Sequence, residues 1–221
     1  MSTNTNGGTL SSLDNTPQAK DDFYSMLEDQ WRVLDVMAND LGGNAKTLWS
    51  IDTTSDDGVQ DLVAKDVVGV VDNSEMGAAI SLTADGKILY DTRGSAAIAA
   101  LADGQTAVDQ FTYAIRLSNG TLSWATVNVT ITGSNDRPDI SVSGGDKAAV
   151  ALNETNAALS SCGTLTVSDP DTTDTVNIGV TSVAASGTGG TNGISNADLL
   201  AMLSLTGNVA NAGDEIGRAH V

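Results

Sequence analysis

Two aspartates separated by a proline, Asp169-Pro170-Asp171, with Asp174 three residues further on, put carboxylates close together on one short stretch of chain. That pattern suits a hard divalent cation, because calcium takes about six to eight oxygens from carboxylates, amide or backbone carbonyls and water. Asp169 and Asp171, with Asp174 as a third ligand, are therefore calcium-ligand candidates; the alternative is a set of acidic turn residues facing solvent. The stretch is not an EF-hand loop, since the required glycine and the terminal glutamate are missing. Other chemistries lack their parts. The chain has one histidine, His220, and one cysteine, Cys162, too few for a Ser-His-Asp or Cys-His site or for zinc. His220 itself lies in Ile216-Gly217-Arg218-Ala219-His220-Val221, which a common sequencing adapter encodes in one reading frame (ATC GGA AGA GCA CAC GTC). Residues 216–221 are expected to be adapter read-through and are set aside from fold reasoning. Nothing singles out a glycosidase-like pair among 28 acidic residues, so the expectation is a protein that is not an enzyme.

The charge balance agrees with a cation partner. Twenty-eight acidic against 10 basic side chains give a net charge of −18, which repels nucleic acid and anionic lipid. Two exposed carboxylates ~4 Å apart repel by about 1 kcal/mol even in water, and a bound divalent ion reverses that energy. Hydrophobic residues make up 40% of the chain, enough for a core despite the acidity. Its 221 residues, at roughly 150 per domain, suggest between one and two domains. Val, Ile and Thr dominate several segments, with 23 glycines and 3 prolines, a mix that favours strands joined by Gly/Asn/Asp turns and hence an all-β class. The lone Cys162 excludes an intramolecular disulfide and is expected to be a small buried residue. No apolar run reaches the roughly 18 residues of a membrane span. Residues 1–13 lack the basic-then-apolar pattern of a signal peptide, so export would need a signal outside this sequence.

The elements that must position these residues follow from periodicity. Residues 1–16 read as a flexible lead-in. Phe23, Met26 and Leu27, then Trp31, Val33, Leu34 and Val36, form two strand-like runs around an acidic corner, Glu28-Asp29-Gln30. A turn cluster at 38–44 precedes strand candidates at 47–51, 62–71 and 78–82. Asp85-Gly86 suits a type I′ hairpin turn leading into Ile88-Leu89-Tyr90. Residues 95–102 allow one helical turn before Asp103-Gly104 stops it. Phe111, Tyr113, Ile115 and Leu117 alternate with polar or small neighbours, and Ala125, Val127, Val129 and Ile131 do the same beyond Asn119-Gly120, predicting two antiparallel strands. Strand-like stretches then recur at 139–142, 165–167 and 176–183. Residues 196–203 predict a short helix with Asn196 as its cap.

Several blocks, in order, resemble bacterial cadherin-like and VCBS repeats. They are Ala19-Lys20-Asp21-Asp22 with Glu28-Asp29; Leu34-Asp35-Val36-Met37-Ala38-Asn39-Asp40; Asp85-Gly86-Lys87-Ile88-Leu89-Tyr90; Leu101-Ala102-Asp103-Gly104-Gln105; Asp109-Gln110-Phe111-Thr112-Tyr113; and the exit Thr132-Gly133-Ser134-Asn135-Asp136-Arg137-Pro138. They cover about residues 18–138 of the chain. Leu152-Asn153-Glu154-Thr155, then Ser161-Cys162-Gly163-Thr164-Leu165-Thr166-Val167-Ser168-Asp169-Pro170-Asp171, looks like the opening of a second copy that stops before the Phe-x-Tyr strand. The expected organisation is a repeat at 17–137, a partial repeat at 138–215 and the adapter residues 216–221.

The resemblance implies an immunoglobulin/cadherin-like antiparallel sandwich and calcium at repeat junctions. There the D-x-D loop meets the N-D of the linker and a glutamate of the preceding repeat, here Asn135, Asp136 and Glu28. It also implies a tandem array in a large type-I-secreted adhesin at a bacterial surface. The chain's partners would be neighbouring repeats, with any cell-surface or glycan target held by other domains. The chain departs from the pattern at Leu41-Gly42-Gly43-Asn44 and at Arg137, whose charge competes with a cation. A reading of another class makes the chain a carbohydrate-binding module that stacks sugars on Trp31, Trp49 and Trp124; packing of those rings in a sandwich core is the structural alternative. Three Asn-x-Thr matches (Asn119, Asn128, Asn153) read as unmodified strand and turn residues. Gly189-Gly190-Thr191-Asn192-Gly193 lacks the aspartate of a calcium-binding nonapeptide and reads as a loop.

Overall fold

The computed structural model describes residues 18–53, 60–153, 155–186, 193–205 and 215–220. The lead-in, Glu154 and most of the Gly-rich loop lie outside the described residues. The chain is all-β. Its strands are β1 (Asp22–Leu27), β2 (Trp31–Leu34), β3 (Lys46–Asp52), β4 (Val71–Asn73), β5 (Ala79–Leu82), β6 (Ile88–Asp91), β7 (Thr106–Leu117), β8 (Leu122–Thr132), β9 (Asp139–Ser141), β10 (Cys162–Ser168) and β11 (Glu215–His220). Among the described residues the helical elements are a 3-10 turn at Gly43–Ala45 and two short α-helices, α1 (Gln60–Val63) and α2 (Asn196–Ala201). Contacts group the chain into one unit of Met1–Met26, Gln30–Gly94 and Val108–Thr130, and a second of Leu27–Asp29, Ser95–Ala107 and Ile131–Val221.

The first unit is a β-sandwich of two four-stranded sheets, ordered β1-β8-β7-β3 and β2-β6-β5-β4. Alternation builds it. Phe111, Tyr113 and Ile115 of β7 and Ala125, Val127 and Val129 of β8 are buried with Leu34, Ile80, Ile88 and Tyr90 from the other sheet. Tyr90 and Phe111 stack with ring centroids 6.0 Å apart and planes 19° apart. Side chains of opposite parity face out, because successive strand residues point to opposite faces. That parity corrects the expectation that the core buries at least one of the three tryptophans. Trp124 precedes the buried Ala125 and is 50% exposed, Trp31 is 56% exposed, and Trp49 is half-buried. The Trp49 ring is faced by Arg116 at 4.5 Å and Lys65 at 5.7 Å.

One polar group is built into this core. Asp109 is fully buried, its Oδ1 accepts N–H bonds from Met76 at 2.7 Å and Gln110 at 2.8 Å, and its Oδ2 accepts the Tyr90 hydroxyl at 2.5 Å. A buried carboxylate is tolerated because donors surround it. It ties β7 to β6 and to the 74–78 turn.

Both hairpin turns form, but neither is type I′. That turn needs positive φ at both central residues, and here only Gly86 (φ 76°) and Gly120 (φ 87°) have it. Thr83 N–H bonds Lys87 O at 2.9 Å and Leu117 N–H bonds Thr121 O at 2.9 Å, closing a three-residue loop at each site. The strand expected at 62–71 is instead α1, which buries Leu62, followed by a loop that exposes Val67, Val68 and Val70.

In the second unit a small sheet runs β11-β10-β9. Val167 of β10 is buried with Val176 and Ile178 packed on it. The expected strand at 176–183 is absent beyond an isolated bridge at Val176, since a strand holds only where a neighbouring edge pairs with it. An apolar cleft of about 590 Å³ opens among residues that include Ile140, Val150, Leu152, Val176 and Leu205. Cys162, the first residue of β10, is exposed, contrary to expectation. The helix α2 is capped by Ser195, not Asn196: Ser195 Oγ accepts Asp198 N–H while the Asp198 side chain returns to Ser195, a capping box. Residues of the adapter-like end lie along β10 as β11, with Cys162 opposite His220 and Leu165 opposite Ile216. An open strand edge offers backbone groups that pair without regard to side-chain identity.

Candidate cation site

The acidic corner after β1, the exit of β8 and the loop after β10 meet within the second unit. One carboxylate oxygen each from Glu28, Asp136 and Asp171 lie within 4.8 Å of one another, the single such acidic group among the described residues. Two ligands of one calcium ion, each about 2.4 Å from it, can be at most about 4.8 Å apart, so the three oxygens are close enough to share an ion.

Local structure aims each group. Glu28 follows β1 and is held by its N–H to Thr132 O at 3.1 Å. Its Oε1 accepts both the backbone N–H and the hydroxyl of Ser134. Asp29, beside it, adopts a left-handed φ of 56°, the sole non-glycine to do so among the described residues, and turns the chain towards β2. Asp171 Oδ2 accepts Asp136 N–H at 2.7 Å, locking the exit segment onto the D-x-D loop. Within that loop Asp169 Oδ1 accepts Asp171 N–H at 3.2 Å, and Asp174 N–H donates to Asp171 O at 3.0 Å.

Two oxygens in this assembly have no protein partner: Glu28 Oε2 and Asp171 Oδ1 are buried without a hydrogen bond. Glu28 is 2% exposed and Asp171 is fully buried. Orphaned buried carboxylate oxygens are costly unless something positive meets them. Burial, then Asp136 and Asp29, push the Glu28 carboxyl up, although the Ser134 bonds pull the other way. Asp136 is pushed up first by burial and then by Asp29, Asp171 and Asp169. The donor set is hard, anionic and oxygen-only, which fits a metal ion of the calcium class and excludes a preference for soft metals.

Of the residues read as ligands from the sequence, Glu28, Asp136 and Asp171 come together. Asp169 is buried and turned onto the Asp171 N–H, Asp174 is half-buried, and the exposed Asn135 donates its Nδ2 to Asp136 O at 2.7 Å. Ser134, Asp29 and Gly133 were not singled out. Ser134 sits in the quoted Gly-Ser-Asn-Asp exit, and its hydroxyl next to an N-D pair was the available signal. Gly133 has no side chain because there is no room for one: a Cβ there would lie 2.3 Å from Leu101 O and 2.4 Å from Ala102 O. Gly133 N–H bonds Gln105 O at 2.8 Å, and its carbonyl accepts Gly104 N–H at 3.1 Å.

A clash of that kind with backbone cannot be relieved by a side-chain rotation. Gly133→Ala is expected to destabilise the second unit by about 2–4 kcal/mol and, by shifting Ser134, to weaken any cation binding. Equal urea midpoints for variant and parent would contradict this.

No protein-family model matches the chain, and no curated protein matches it.

Proposed function

We propose that the second unit binds calcium through Glu28, Asp136 and Asp171, and that the chain is a calcium-stabilised structural spacer in a bacterial surface or secreted adhesin. The observation that carries the cation reading is the pair of buried, partnerless oxygens, Glu28 Oε2 and Asp171 Oδ1, on two members of a three-carboxylate cluster. The adhesin reading rests on the repeat-like blocks in the sequence, and the all-β sandwich agrees with it.

The residues divide the work. Ser134 fixes Glu28, and Asp136 N–H fixes Asp171, so the ligands are set before an ion arrives. A divalent cation supplies the positive charge that the cluster lacks and joins three segments far apart in sequence, 28–29, 134–136 and 169–171. Extracellular modules of this kind bind calcium at about 0.1–1 mM, so the site fills outside a cell and empties within it. No catalytic role is assigned to the chain. Among the described residues no helix is long and apolar enough to cross a membrane.

Limited proteolysis with mapped cut sites tests the stiffening. With calcium, cleavage at 133–137 and 169–174 should slow about tenfold or more, as expected when a ligand raises the cost of local opening by at least ~1.4 kcal/mol. Equal rates in calcium and in chelator would remove the cation from the account. The exposure of Trp31 and Trp124 supports the second reading, a carbohydrate-binding module. A glycan array probed with the whole chain separates the two: specific sugar binding that survives chelation favours the module.

A further inference from the structure

The first unit buries a separate pair of carboxyls around the hydroxyl of Tyr113. Asp22 opens β1 and is 7% exposed; Asp40 ends the turn after β2 and is 8% exposed. The Tyr113 hydroxyl lies 2.9 Å from Asp40 Oδ1, 3.0 Å from Lys20 O and 3.1 Å from Val36 O, and it also bonds the Asp22 carboxyl. Asp40 Oδ1 takes the Lys20 N–H as well, at 2.8 Å. Asp22 Oδ2 and Asp40 Oδ2 remain buried with no partner.

The proton count does not close. A phenol has one proton, and four oxygens crowd this one. With both carboxyls ionised, two negative charges share a buried space with too few donors. Lys46 Nζ donates to the backbone carbonyls of Met37 at 2.6 Å and Asp40 at 2.5 Å and forms no ion pair with either carboxyl. Of the other charged neighbours, Asp21 and Asp35 add negative charge, and Arg32, over the Tyr24 ring at 5.4 Å, acts on Tyr24 and is not among the groups that act on Asp22.

We propose that Asp22 carries the missing proton below neutral pH. As a carboxylic acid it donates to Tyr113 Oη, Tyr113 donates to Asp40, and the three groups hold a single negative charge. The first unit is then a proton-binding device: folding takes up a proton that the unfolded chain does not hold. Burial first, and then Asp40, Asp21 and Asp35, agree with this by pushing the Asp22 carboxyl up to about 7 from 3.8, against the opposing Tyr113 bond. A raised carboxyl favours the folded state fully below the unfolded value and loses that contribution as pH climbs through the folded one. Stability therefore falls between about pH 4 and pH 7, the reverse of a salt-bridged aspartate.

The test uses the whole chain with carboxyl-13C aspartate, followed by NMR from pH 4 to 9. One resonance, missing in Asp22→Asn, should titrate with a midpoint near 7; a midpoint in the ordinary aspartate range would overturn the proposal. Asp40→Asn should move that midpoint down, and no movement would count against the shared-proton arrangement. Asp22→Asn mimics the protonated acid, so it should melt higher than the parent at pH 8 and alike near pH 4. A lower melting temperature at both would overturn it. So would a titration step that disappears when calcium is added at neutral pH, which would assign the pair to a cation.

Discussion

Replacing Asp109 by alanine should cost the first unit on the order of 3–5 kcal/mol, a large share of the roughly 5–15 kcal/mol that holds a domain together. The change deprives Met76 N–H, Gln110 N–H and the Tyr90 hydroxyl of this acceptor; Asp109 and Tyr90 are fully buried, and Met76 and Gln110 are half-buried. Each buried donor left without a partner costs about 1–3 kcal/mol. It also opens a void beside the Tyr90–Phe111 stack. Asp109→Asn keeps one acceptor oxygen for the backbone donors and should lose about half as much. Urea unfolding followed by tryptophan emission measures both. An alanine variant within about 0.5 kcal/mol of the parent would mean that the three bonds contribute little.

How much of this was legible in the sequence depends on how far apart the deciding partners are. The β7 and β8 faces were readable, because alternation is local and Phe111, Tyr113, Val127 and Val129 point inward as their spacing demands. The same rule placed Trp124 outside, yet ring size suggested the core; parity won over bulk. The 176–183 stretch has strand-like residues but no partner edge, and strand pairing is not a local property. Asp22, Asp40 and Asp109 look like ordinary acidic turn and strand residues. Their burial comes from Lys20, Tyr113 and Tyr90, which lie tens of residues away in several cases. In the candidate site, the D-x-D and N-D pairs were visible as motifs, and the resemblance named Glu28. Ser134 as the clamp on Glu28, and Gly133 as the residue that lets the exit strand pass Leu101, depend on contacts between segments distant in sequence, which no local pattern encodes.

The carboxylates of the cation site should cost stability without calcium and return it with calcium. Converting Glu28 and Asp171 together to amides, Glu28→Gln with Asp171→Asn, removes two of the three charges while keeping acceptor oxygens for Ser134 and Asp136 N–H. In chelator the double variant should be at least as stable as the parent, since like charges near 4 Å repel by about 1 kcal/mol in water and about 4 kcal/mol in a partly buried setting. With calcium tenfold above its dissociation constant the parent should gain about 1.4 kcal/mol and the variant nothing. The order of the two proteins then reverses or closes on adding the ion. Thermal unfolding in calcium, magnesium and chelator reads this out, and a variant that responds to calcium as the parent does would place the ion elsewhere.

Isothermal titration of calcium into the whole chain addresses the central claim most directly. A saturable binding heat with a dissociation constant of about 0.1–1 mM is expected, and it should be lost in Asp171→Asn and in Glu28→Gln but retained in Asp174→Asn, because Asp174 lies outside the three-carboxylate group. No binding heat in the parent, or heat unchanged by Asp171→Asn, would leave Glu28, Asp136 and Asp171 as a buried acidic cluster with no cation role.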